Sequence, residues 1–370
     1  MRLRVLHLIT RLPVGGAERL LVDVVRSLDR ERFESLVCCI QDKGPLADEL
    51  EAGGVPVFCL ERMRSKRFDF GAVGAIARLL KEQRIDVLHS HLYHANLYGR
   101  LAAWRAGVPA VATVHNTYTR VKLHRSLLNR LLTGPSTRVV AVSEDVRRDL
   151  IRHDRIPAER IMVIHNGIDT GRVRSSLSRE AARARLGIPA DAIAVGCVAR
   201  LEEQKGHRFL LEALNLLGEP RFLAVIAGDG RLRGELERRA AELGVAGQAM
   251  FLGTRSDVAD ILRALDIYAM PSLWEGLSIA MLESMAAGLP IVISDVSGVA
   301  QVIGDDEFGM KVPVGDPAAL AKAIRLLADD PRRRAALGAA ARERVEARFS
   351  VGAMAAQLAR LYEDVSSRRP

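Results

Sequence analysis

The sequence is poor in the residues that mark several functional classes. Aromatic side chains make up 4% of the chain and do not alternate with basic residues, so a surface that stacks nucleic acid bases is not expected. No apolar run approaches the ~18 residues of a membrane-spanning helix, so any membrane contact is expected to be peripheral. The four cysteines lie in apolar runs without Cys-x-x-Cys spacing, which indicates neither a zinc site nor a disulfide framework and is typical of a reducing cytoplasm.

The composition is instead that of a large globular protein. Its 370 residues, 49% of them hydrophobic, exceed the length of one ordinary core, which predicts two domains. Residues 1–10 carry a positive charge and then an apolar run, but this run is shorter than the core of a signal peptide. We therefore interpret it as a first buried strand of a cytoplasmic protein.

Basic residues are concentrated in the first half of the chain, and the net charge is +9. A basic face favours anions, among them anionic lipid headgroups at a membrane surface or a polyprenyl phosphate. An ordinary solvated face of an arginine-rich protein is an equally good interpretation. The residues in question are Arg62, Arg64, Lys66, Arg67, Arg120, Lys122, Arg125, Arg130, Arg138, Arg147, Arg148, Arg152 and Arg155.

Short β-forming runs alternate with helical patterns along the chain. This rhythm is typical of parallel sheets, and it restarts after a polar joint near residues 170–189, so it predicts two doubly wound α/β domains. We expect domains over 1–170 and 171–348, and a last amphipathic helix over 349–362. The predicted strands are 3–9, 36–40, 57–60, 85–89, 110–114, 138–142, 161–164, 193–198, 222–227, 250–252, 266–270 and 291–294.

Residues 271–290 combine two carboxylates with the start and the end of one helix. Ser278 is a residue type that caps a helix, and the Gly-Leu-Pro at 288–290 ends it. Glu275 is therefore expected in a loop at the helix start, where N–H groups bind phosphate. Glu283 follows by eight positions, about two helical turns, which predicts that both glutamates lie on one face.

Carboxylates accept hydrogen bonds from sugar hydroxyls, so a sugar phosphate could bind both the carboxylates and the N–H groups of this segment. The alternative is an amphipathic helix with two solvated glutamates. The segment resembles the Glu-x7-Glu motif of the retaining GT4-type glycosyltransferases, including its Glu-Gly-Leu-Ser start and its Glu-Ser-Met-Ala-Ala-Gly-Leu-Pro exit. By this resemblance, Glu275 contacts the donor sugar, Gly276 and Leu277 hold the diphosphate beside Ser278, and Glu283 binds the ribose.

The resemblance implies the α/β fold called GT-B, with two Rossmann-like domains that face a central cleft. It places the acceptor on the first domain and the nucleotide-sugar donor on the second, and it packs the C-terminal helix, residues 349–370, against the first domain. The narrower similarity of the opening Leu-Ile-Thr-Arg-Leu-Pro-Val-Gly-Gly is to transferases of bacterial exopolysaccharide systems.

Two cations follow the predicted strand 193–198. Arg200 and Lys205 lie where α/β sheets bind ligands, and fixed cations stabilise a departing diphosphate without a metal. They also match the family's Arg-x4-Lys-Gly element, although either residue alone would be an ordinary surface cation. The chain contains no Asp-x-Asp, which disfavours a metal-bridged nucleotide sugar.

Further candidates lie in the first domain. Gly15, Gly16 and Glu18 follow the first strand and match the family's Gly-Gly loop beside the donor phosphate and the acceptor, although a glycine pair is also compatible with a simple turn. Clustered histidines at strand ends invite a zinc interpretation, but the spacing supplies no cysteine or acidic ligand. The resemblance assigns His115 to the cleft histidine near the reacting carbon, and it places Asn116, Ser143 and Asn166 at the cleft or its hinge, although Asn166 with Gly167 is equally compatible with a simple turn. His89 and His91 either shape the acceptor side or are ordinary capped residues at strand ends.

The sequence thus predicts a retaining, metal-independent glycosyltransferase that uses no cofactor and takes a UDP- or GDP-sugar as its donor. A glycan or a polyprenyl-linked glycan is the expected acceptor, at the inner face of the plasma membrane if the basic face binds lipid. Two alternatives stay open: a nucleotide-sugar 2-epimerase of the same architecture, and a non-catalytic protein that binds anionic membranes. The loops 63–70 and 118–130 are expected to determine the acceptor.

Overall fold

Parallel strands alternate with helices in the computed structural model, which describes residues 2–64, 68–116, 123–134 and 136–367. The chain divides into two units. The first contains Met1–Gly167 and Val351–Pro370, and the second contains Ile168–Ser350. Lys66, Arg67, Arg120 and Lys122 of the basic set, and parts of the loops 63–70 and 118–130, lie outside the described residues.

The first unit is built on a seven-stranded parallel sheet with the order β3-β2-β1-β4-β5-β6-β7. Its strands are β1 (Leu3–Arg11), β2 (Phe33–Asp42), β3 (Val57–Cys59), β4 (Val87–His91), β5 (Ala110–Val114), β6 (Thr137–Ala141) and β7 (Ile161–Val163). Its helices are α1 (Gly16–Ser27), α2 (Pro45–Ala52), α3 (Phe70–Glu82), α4 (Tyr93–Ala106), α5 (Leu123–Leu131), α6 (Glu144–Arg152) and the C-terminal α15 (Val351–Ser366).

The second unit has a six-stranded parallel sheet with the order β10-β9-β8-β11-β12-β13. Its strands are β8 (Ile193–Val198), β9 (Phe222–Ala227), β10 (Ala249–Gly253), β11 (Ile267–Met270), β12 (Ile291–Ser294) and β13 (Met310–Val312). Its helices are α7 (Arg179–Leu186), α8 (His207–Leu217), α9 (Arg233–Glu242), α10 (Val258–Ala264), α11 (Ile279–Ala286), α12 (Ala300–Ile303), α13 (Pro317–Asp329) and α14 (Pro331–Arg348).

The α/β class with two parallel sheets is confirmed, and each of the twelve predicted strands overlaps an observed one. The thirteenth strand, β13, is missing from the prediction. Its three residues are Met310, Lys311 and Val312, and a central lysine in so short a run gives no apolar pattern. β13 forms by pairing with β12 at the sheet edge, a long-range contact that local sequence does not encode.

Each sheet is covered by helices that bury one apolar stripe. In α1 this stripe consists of Leu20, Leu21, Val24 and Val25, each at most 3% exposed, as the spacing of these residues predicts. α15 packs against α1, and its Tyr362 is fully buried beside Phe33 of β2. Among the described helices, none has the length and apolar character needed to cross a bilayer.

Several residues of the predicted basic face do not present an unpaired positive charge to solvent. Arg138 is 9% exposed, so it belongs to the interior and not to a surface that could meet anions. Arg64, Arg147 and Arg148 each form an ion pair with a carboxylate three positions earlier in the chain. The described part of the set therefore attracts anions less strongly than its sequence count indicates.

Candidate functional site

In the second unit, the predicted site residues follow two neighbouring strands. β8 and β11 pair directly, although β9 and β10 separate them in the chain, so the strand order reverses between them. In doubly wound sheets, ligands bind in the crevice that opens at such a reversal, beyond the carboxyl ends of the strands. The loop after β8 carries Arg200 and Lys205, and the loop after β11 carries Glu275, Gly276 and Leu277.

Lys205 and Glu275 meet at this point. The ammonium Nζ of Lys205 lies 2.6 Å from Oε1 of Glu275, and the two side chains are 16% and 5% exposed. Ser272 donates a hydrogen bond of 2.8 Å to the same Oε1, and Gln204 donates one of 2.9 Å to the carbonyl oxygen of Trp274. A buried carboxylate is thus held in place by a cation and a hydroxyl, with both loops tied together.

Glu275 lies in the loop before the helix, as predicted, and Glu283 lies within it, so the argument from helical spacing does not apply to the pair. α11 begins at Ile279, and its N-cap Ser278 accepts a hydrogen bond from the N–H of Met281, so Glu275 belongs to the preceding loop. Both carboxylates nevertheless act electrostatically on one buried group, the hydroxyl of Tyr268. Burial raises the pKa of the Tyr268 hydroxyl well above its ordinary value, and nearby negative charge, including that of Glu283 and Glu275, raises it further.

Two glycines fix the path of these loops. A Cβ atom on Gly298 would lie 1.7 Å from the carbonyl oxygen of Gly276, and one on Gly206 would lie 2.0 Å from that of Pro271. Both glycines also have positive φ angles, +79° and +63°, which other residues adopt at a cost. Neighbouring loops therefore press directly against the segment that carries Glu275.

The other residues that were predicted to bind the donor substrate differ in exposure. Gly276, Leu277 and Ser278 are buried, and Glu283 is half-buried. Arg200 is exposed and has no ion-pair partner among the residues that the structure describes. Within the described part of the chain, the Arg200 guanidinium is therefore not bound to a carboxylate, whereas the Lys205 ammonium is.

The first unit has the same kind of strand reversal, between β1 and β4. Gly15 and Gly16 follow β1 and start α1, with Gly15 as an N-cap that has no side-chain hydrogen bond. A Cβ atom on Gly15 would lie 2.4 Å from Oε2 of Glu18, so the carboxylate of Glu18 folds back over this turn. The predicted Gly-Gly loop therefore lies at the position where an α/β sheet binds ligands.

Four histidine rings form a row along the first sheet. His7 of β1 is in register with His89 of β4, and the ring centroids of His89 and His91 are 4.1 Å apart. The row continues to His115 after β5, whose ring centroid lies 5.9 Å from that of His91. Burial lowers the pKa of His115 to about 4 and that of His7 to about 3, and it lowers the pKa of His89 and His91 as well, so these rings are neutral near pH 7.

Three of these rings are close enough to invite a metal. His7, His89 and His91 each place a ring nitrogen within 4.8 Å of the others. However, His89 already uses both nitrogens, one in a 2.6 Å hydrogen bond with the Tyr362 hydroxyl and one in a 2.7 Å hydrogen bond with Thr113 Oγ1. Two imidazoles remain, fewer than the three or four protein ligands of zinc sites. Both nitrogens of His7 and Nε2 of His91 have no hydrogen-bond partner among the described residues, so only packing and the two hydrogen bonds of His89 hold the cluster.

A cavity of about 440 Å³ opens in the first unit beside His115 and Asn116. Its other walls include Thr10 near the end of β1, Tyr93 at the start of α4, and Asn96 and Arg100 farther along α4. The remaining first-unit candidates are elsewhere: none of His89, His91, Ser143 and Asn166 is among the described residues that line the cavity. Ser143 instead caps α6 by accepting a hydrogen bond from the N–H of Val146.

Several residues of these sites escaped the sequence analysis. Ser272 and Gln204 hold the Glu275 loop, and both lie inside motifs that were already recognised, so they could have been found by asking which neighbours are polar. Gly298 could not, because its importance arises from a close approach to Gly276, which is distant in the chain.

Two family models match the chain. The model described as Glycosyltransferase Family 4 matches residues 14–172, and the model described as Glycosyl transferases group 1 matches residues 178–344. EpsF of Bacillus subtilis, whose name assigns it provisionally to the glycosyltransferases, is 32% identical over 79% of this chain and 79% of its own length. The UDP-Gal:alpha-D-GlcNAc-diphosphoundecaprenol alpha-1,3-galactosyltransferase of Escherichia coli is 28% identical over 89% of both chains.

Solved structures show the same architecture. The crystal structure of Anabaena HepE in complex with UDP-glucose matches with a TM-score of 0.87 and 25% identity, over 98% of this chain and all of that one. The glycosyltransferase WaaG of lipopolysaccharide biosynthesis, at 20% identity and a TM-score of 0.78, shares the fold over 97% of this chain.

Proposed function

Since the chain belongs to the group 1 glycosyl transferases and is a glycosyltransferase of the GT4 type with the GT-B fold, we propose that it moves a hexose from a UDP- or GDP-sugar to a lipid-linked or cell-surface glycan, with retention of configuration and without a metal ion. The observation that carries this proposal is the buried contact of Lys205 with Glu275 at the strand reversal of the second unit. UDP is the favoured nucleotide, because HepE was crystallised with UDP-glucose and the galactosyltransferase of Escherichia coli is named for UDP-Gal.

The donor is proposed to bind the second unit. The diphosphate would lie at the start of α11 near the N–H groups of Gly276 and Leu277, with Arg200 and Lys205 beside it. The carboxylate of Glu275, fixed by Ser272 and Lys205, would accept hydrogen bonds from hydroxyls of the donor sugar. Glu283 would bind the ribose.

The cations account for the proposed independence from metal. As the glycosidic bond breaks, its electron pair moves to the diphosphate oxygen, and negative charge grows there. Arg200 and Lys205 supply fixed positive charge at that position, and the chain lacks the Asp-x-Asp motif that bridges a metal to a nucleotide sugar. Retention is proposed to follow from attack on the face that the diphosphate leaves, with the leaving phosphate accepting the acceptor's proton.

The first unit is proposed to bind the acceptor, with His115 and Asn116 at its cavity and Gly15, Gly16 and Glu18 at its strand reversal. A polyprenyl-linked glycan is favoured because the acceptor in the name of the Escherichia coli relative is a sugar on diphosphoundecaprenol. A neutral His115, with its pKa lowered to about 4, can exchange hydrogen bonds with sugar hydroxyls without adding a charge.

The test is release of nucleotide from UDP-, GDP- and ADP-sugars in the presence of a chelator, with the Glu275→Ala and His115→Ala variants in parallel. The proposal expects turnover of one donor that survives the chelator and is lost in both variants. Formation of free sugar or of its 2-epimer with no acceptor product would instead support the epimerase. No turnover of any donor would contradict the proposal.

A peripheral membrane contact is proposed as a second property of the first unit. Trp104 of α4 is 83% exposed, and Leu127 and Leu131 of α5 are 59% and 69% exposed, one turn apart. The two helices are neighbours, since Arg100 of α4 donates hydrogen bonds to α5. Exposed Arg105 and Arg130 are the chain neighbours of Trp104 and Leu131, and basic residues next to exposed apolar ones are typical of a surface that binds an anionic bilayer.

Vesicles of phosphatidylcholine alone, or mixed with phosphatidylglycerol, distinguish this surface from the catalytic site. Wild-type protein and the Glu275→Gln variant are expected to bind the anionic vesicles equally, and a Trp104→Ala, Leu131→Ala variant is expected to bind them more weakly. Equal binding of all three proteins would refute the assignment of this surface.

A further inference from the structure

The pairing of β8 with β11 stops before either strand ends. Among the described residues, the last pair in their register joins Gly196 to Tyr268. Two residues farther along each strand, the carbonyl oxygen of Val198 would accept a hydrogen bond from residue 271, which is a proline without an N–H. The two strands therefore lose their backbone connection just before the crevice that is proposed to bind the donor.

The hydroxyl of Tyr268 replaces the missing backbone connection. Its oxygen accepts a 3.2 Å hydrogen bond from the N–H of Val198, and its proton is donated over 3.2 Å to the carbonyl oxygen of the same residue. The N–H and the C=O of one strand residue lie on the same side of the strand, so both groups of Val198 face β11. One side chain thus satisfies two backbone groups that the backbone of β11 does not bind.

The hydroxyl of Tyr268 is protonated at neutral pH, as its bond to the carbonyl oxygen requires. Burial and the nearby negative charges raise its pKa well above the ordinary value. A phenolate could accept from the N–H of Val198, but it could not donate to the carbonyl oxygen. Tyr268 is 1% exposed, so loss of its hydroxyl would leave both backbone groups beside a buried apolar ring.

This hydroxyl bridge lies at the base of the two loops that carry the predicted donor residues. Val198 is two residues before Arg200, and Pro271 is four residues before Glu275. Farther along, the same two loops are joined by the ion pair between Lys205 and Glu275. Two contacts therefore hold the loops together, one at the strand ends and one within the loops.

We propose that Tyr268 is a positioning residue of the donor site: its hydroxyl joins the ends of β8 and β11 and so holds the loop with Arg200 in place for the donor diphosphate. This inference rests on the proposed function and adds a residue that acts through the backbone of Val198. A purely structural hydroxyl is the alternative. Its removal would lower the free energy of unfolding and leave nucleotide binding by the folded protein unchanged.

Nucleotide affinity distinguishes these two roles. Tyr268→Phe removes only the hydroxyl, and the matched control Tyr362→Phe removes that of another fully buried tyrosine, which is hydrogen-bonded to His89 in the first unit. Calorimetry measures the Kd of UDP and of GDP for wild type and both variants at a temperature at which each protein is folded. Tyr268→Phe is expected to bind the preferred nucleotide about tenfold more weakly than wild type, and Tyr362→Phe is expected to bind it equally.

Amide hydrogen exchange tests the hydroxyl bridge in wild type, without any nucleotide or variant. The N–H of Val198 is expected to exchange about as slowly as that of Gly196 in the last pair of the ladder, because the hydroxyl accepts it. In Tyr268→Phe, NMR should show about tenfold faster exchange at Val198 and unchanged exchange at Val225 of β9. Rapid exchange of Val198 in wild type would overturn the proposal.

The inference and the proposed function can fail separately. If wild type binds UDP or GDP and Tyr268→Phe binds it equally well, the positioning role falls and the proposed function stands. An equal loss of affinity in Tyr268→Phe and Tyr362→Phe would also overturn the positioning role alone. If wild type binds neither nucleotide, the proposed function falls and the positioning role falls with it.

Discussion

The ammonium of Lys205 lies 2.6 Å from Oε1 of Glu275, although the two residues are 70 positions apart in the chain. Their strands, β8 and β11, are neighbours at the reversal of the sheet, so the pairing follows directly from the topology. Both side chains are largely buried, which makes each the main compensation for the charge of the other.

This relationship predicts strong coupling in a double-mutant cycle. Lys205→Met and Glu275→Gln should each lower the free energy of unfolding by about 3 kcal/mol, because each leaves one buried charge or polar group without its partner. The double variant should lose less than the sum of the two, by at least about 1 kcal/mol. Urea denaturation followed by circular dichroism measures all four proteins, and strictly additive losses would show that the pair is not coupled.

The cap of α11 is expected to have two roles. Ser278→Ala should cost about 1 kcal/mol of stability, because the N–H of Met281 loses its partner. Ser178→Ala is the matched control, since Ser178 caps α7 of the same unit through the N–H of Ala181. Both variants should lose similar stability, and only Ser278→Ala should raise KM for the donor. An equal change of KM in both variants would mean that the change results from lost stability and not from the cap of α11.

Close approach at Gly298 is expected to control the Glu275 loop. Gly298→Ala forces a Cβ atom into the carbonyl oxygen of Gly276, and Gly244→Ala introduces the same positive-φ penalty, at +72°, with nothing within 4 Å. Gly244→Ala should therefore lose about 1 kcal/mol and keep its affinity for the donor. Gly298→Ala should lose more stability and bind the donor more weakly. Unchanged donor binding in Gly298→Ala would mean that this contact does not position the loop.

The stability of the protein is expected to fall with decreasing pH well above the pH range in which carboxylates titrate. The pKa of His115 and that of His207 are lowered from 6.5 to about 4 by burial, and that of His7 to about 3. As the pH falls, the unfolded chain binds these protons first, so stability is complete above pH 6.5 and is lost progressively from there toward pH 4.

Protonation of each such histidine in the unfolded chain is expected to lower the free energy of unfolding by about 3 kcal/mol across this window. Urea denaturation at a series of pH values measures the loss, and a His7→Leu variant should show a shallower dependence because it cannot take up the proton. Equal stability of wild type at pH 7.5 and pH 5 would contradict the assignment of neutral buried rings.

The fold could be predicted from the sequence because its signals are local. Apolar runs of strand length, the cap at Ser278 and the amphipathic stripe of α1 each depend on residues within a few positions. β13 could not be predicted, since its pattern is three residues long and its strand exists only by pairing with β12.

The site was predictable only as far as its residues lie in recognisable motifs. The motifs name Glu275, Glu283, Arg200 and Lys205 as candidates, but they do not predict the ion pair between Lys205 and Glu275, because helical spacing is a poor guide to a loop residue. Glu275 contacts Lys205 because the loops after β8 and β11 meet in space, and no local sequence pattern encodes the distance between two loops.

The central claim is that Glu275 recognises the sugar of the donor. Calorimetry in the presence of a chelator tests it most directly, by measuring the affinity for the donor and for the bare nucleotide. The ligands are UDP and the UDP-sugar that is turned over, and the proteins are wild type and Glu275→Gln. If Glu275 recognises the sugar, the variant should lose about tenfold in affinity for the UDP-sugar and retain its affinity for UDP. Equal affinity of both proteins for the UDP-sugar, or an equal loss for both ligands, would contradict the account.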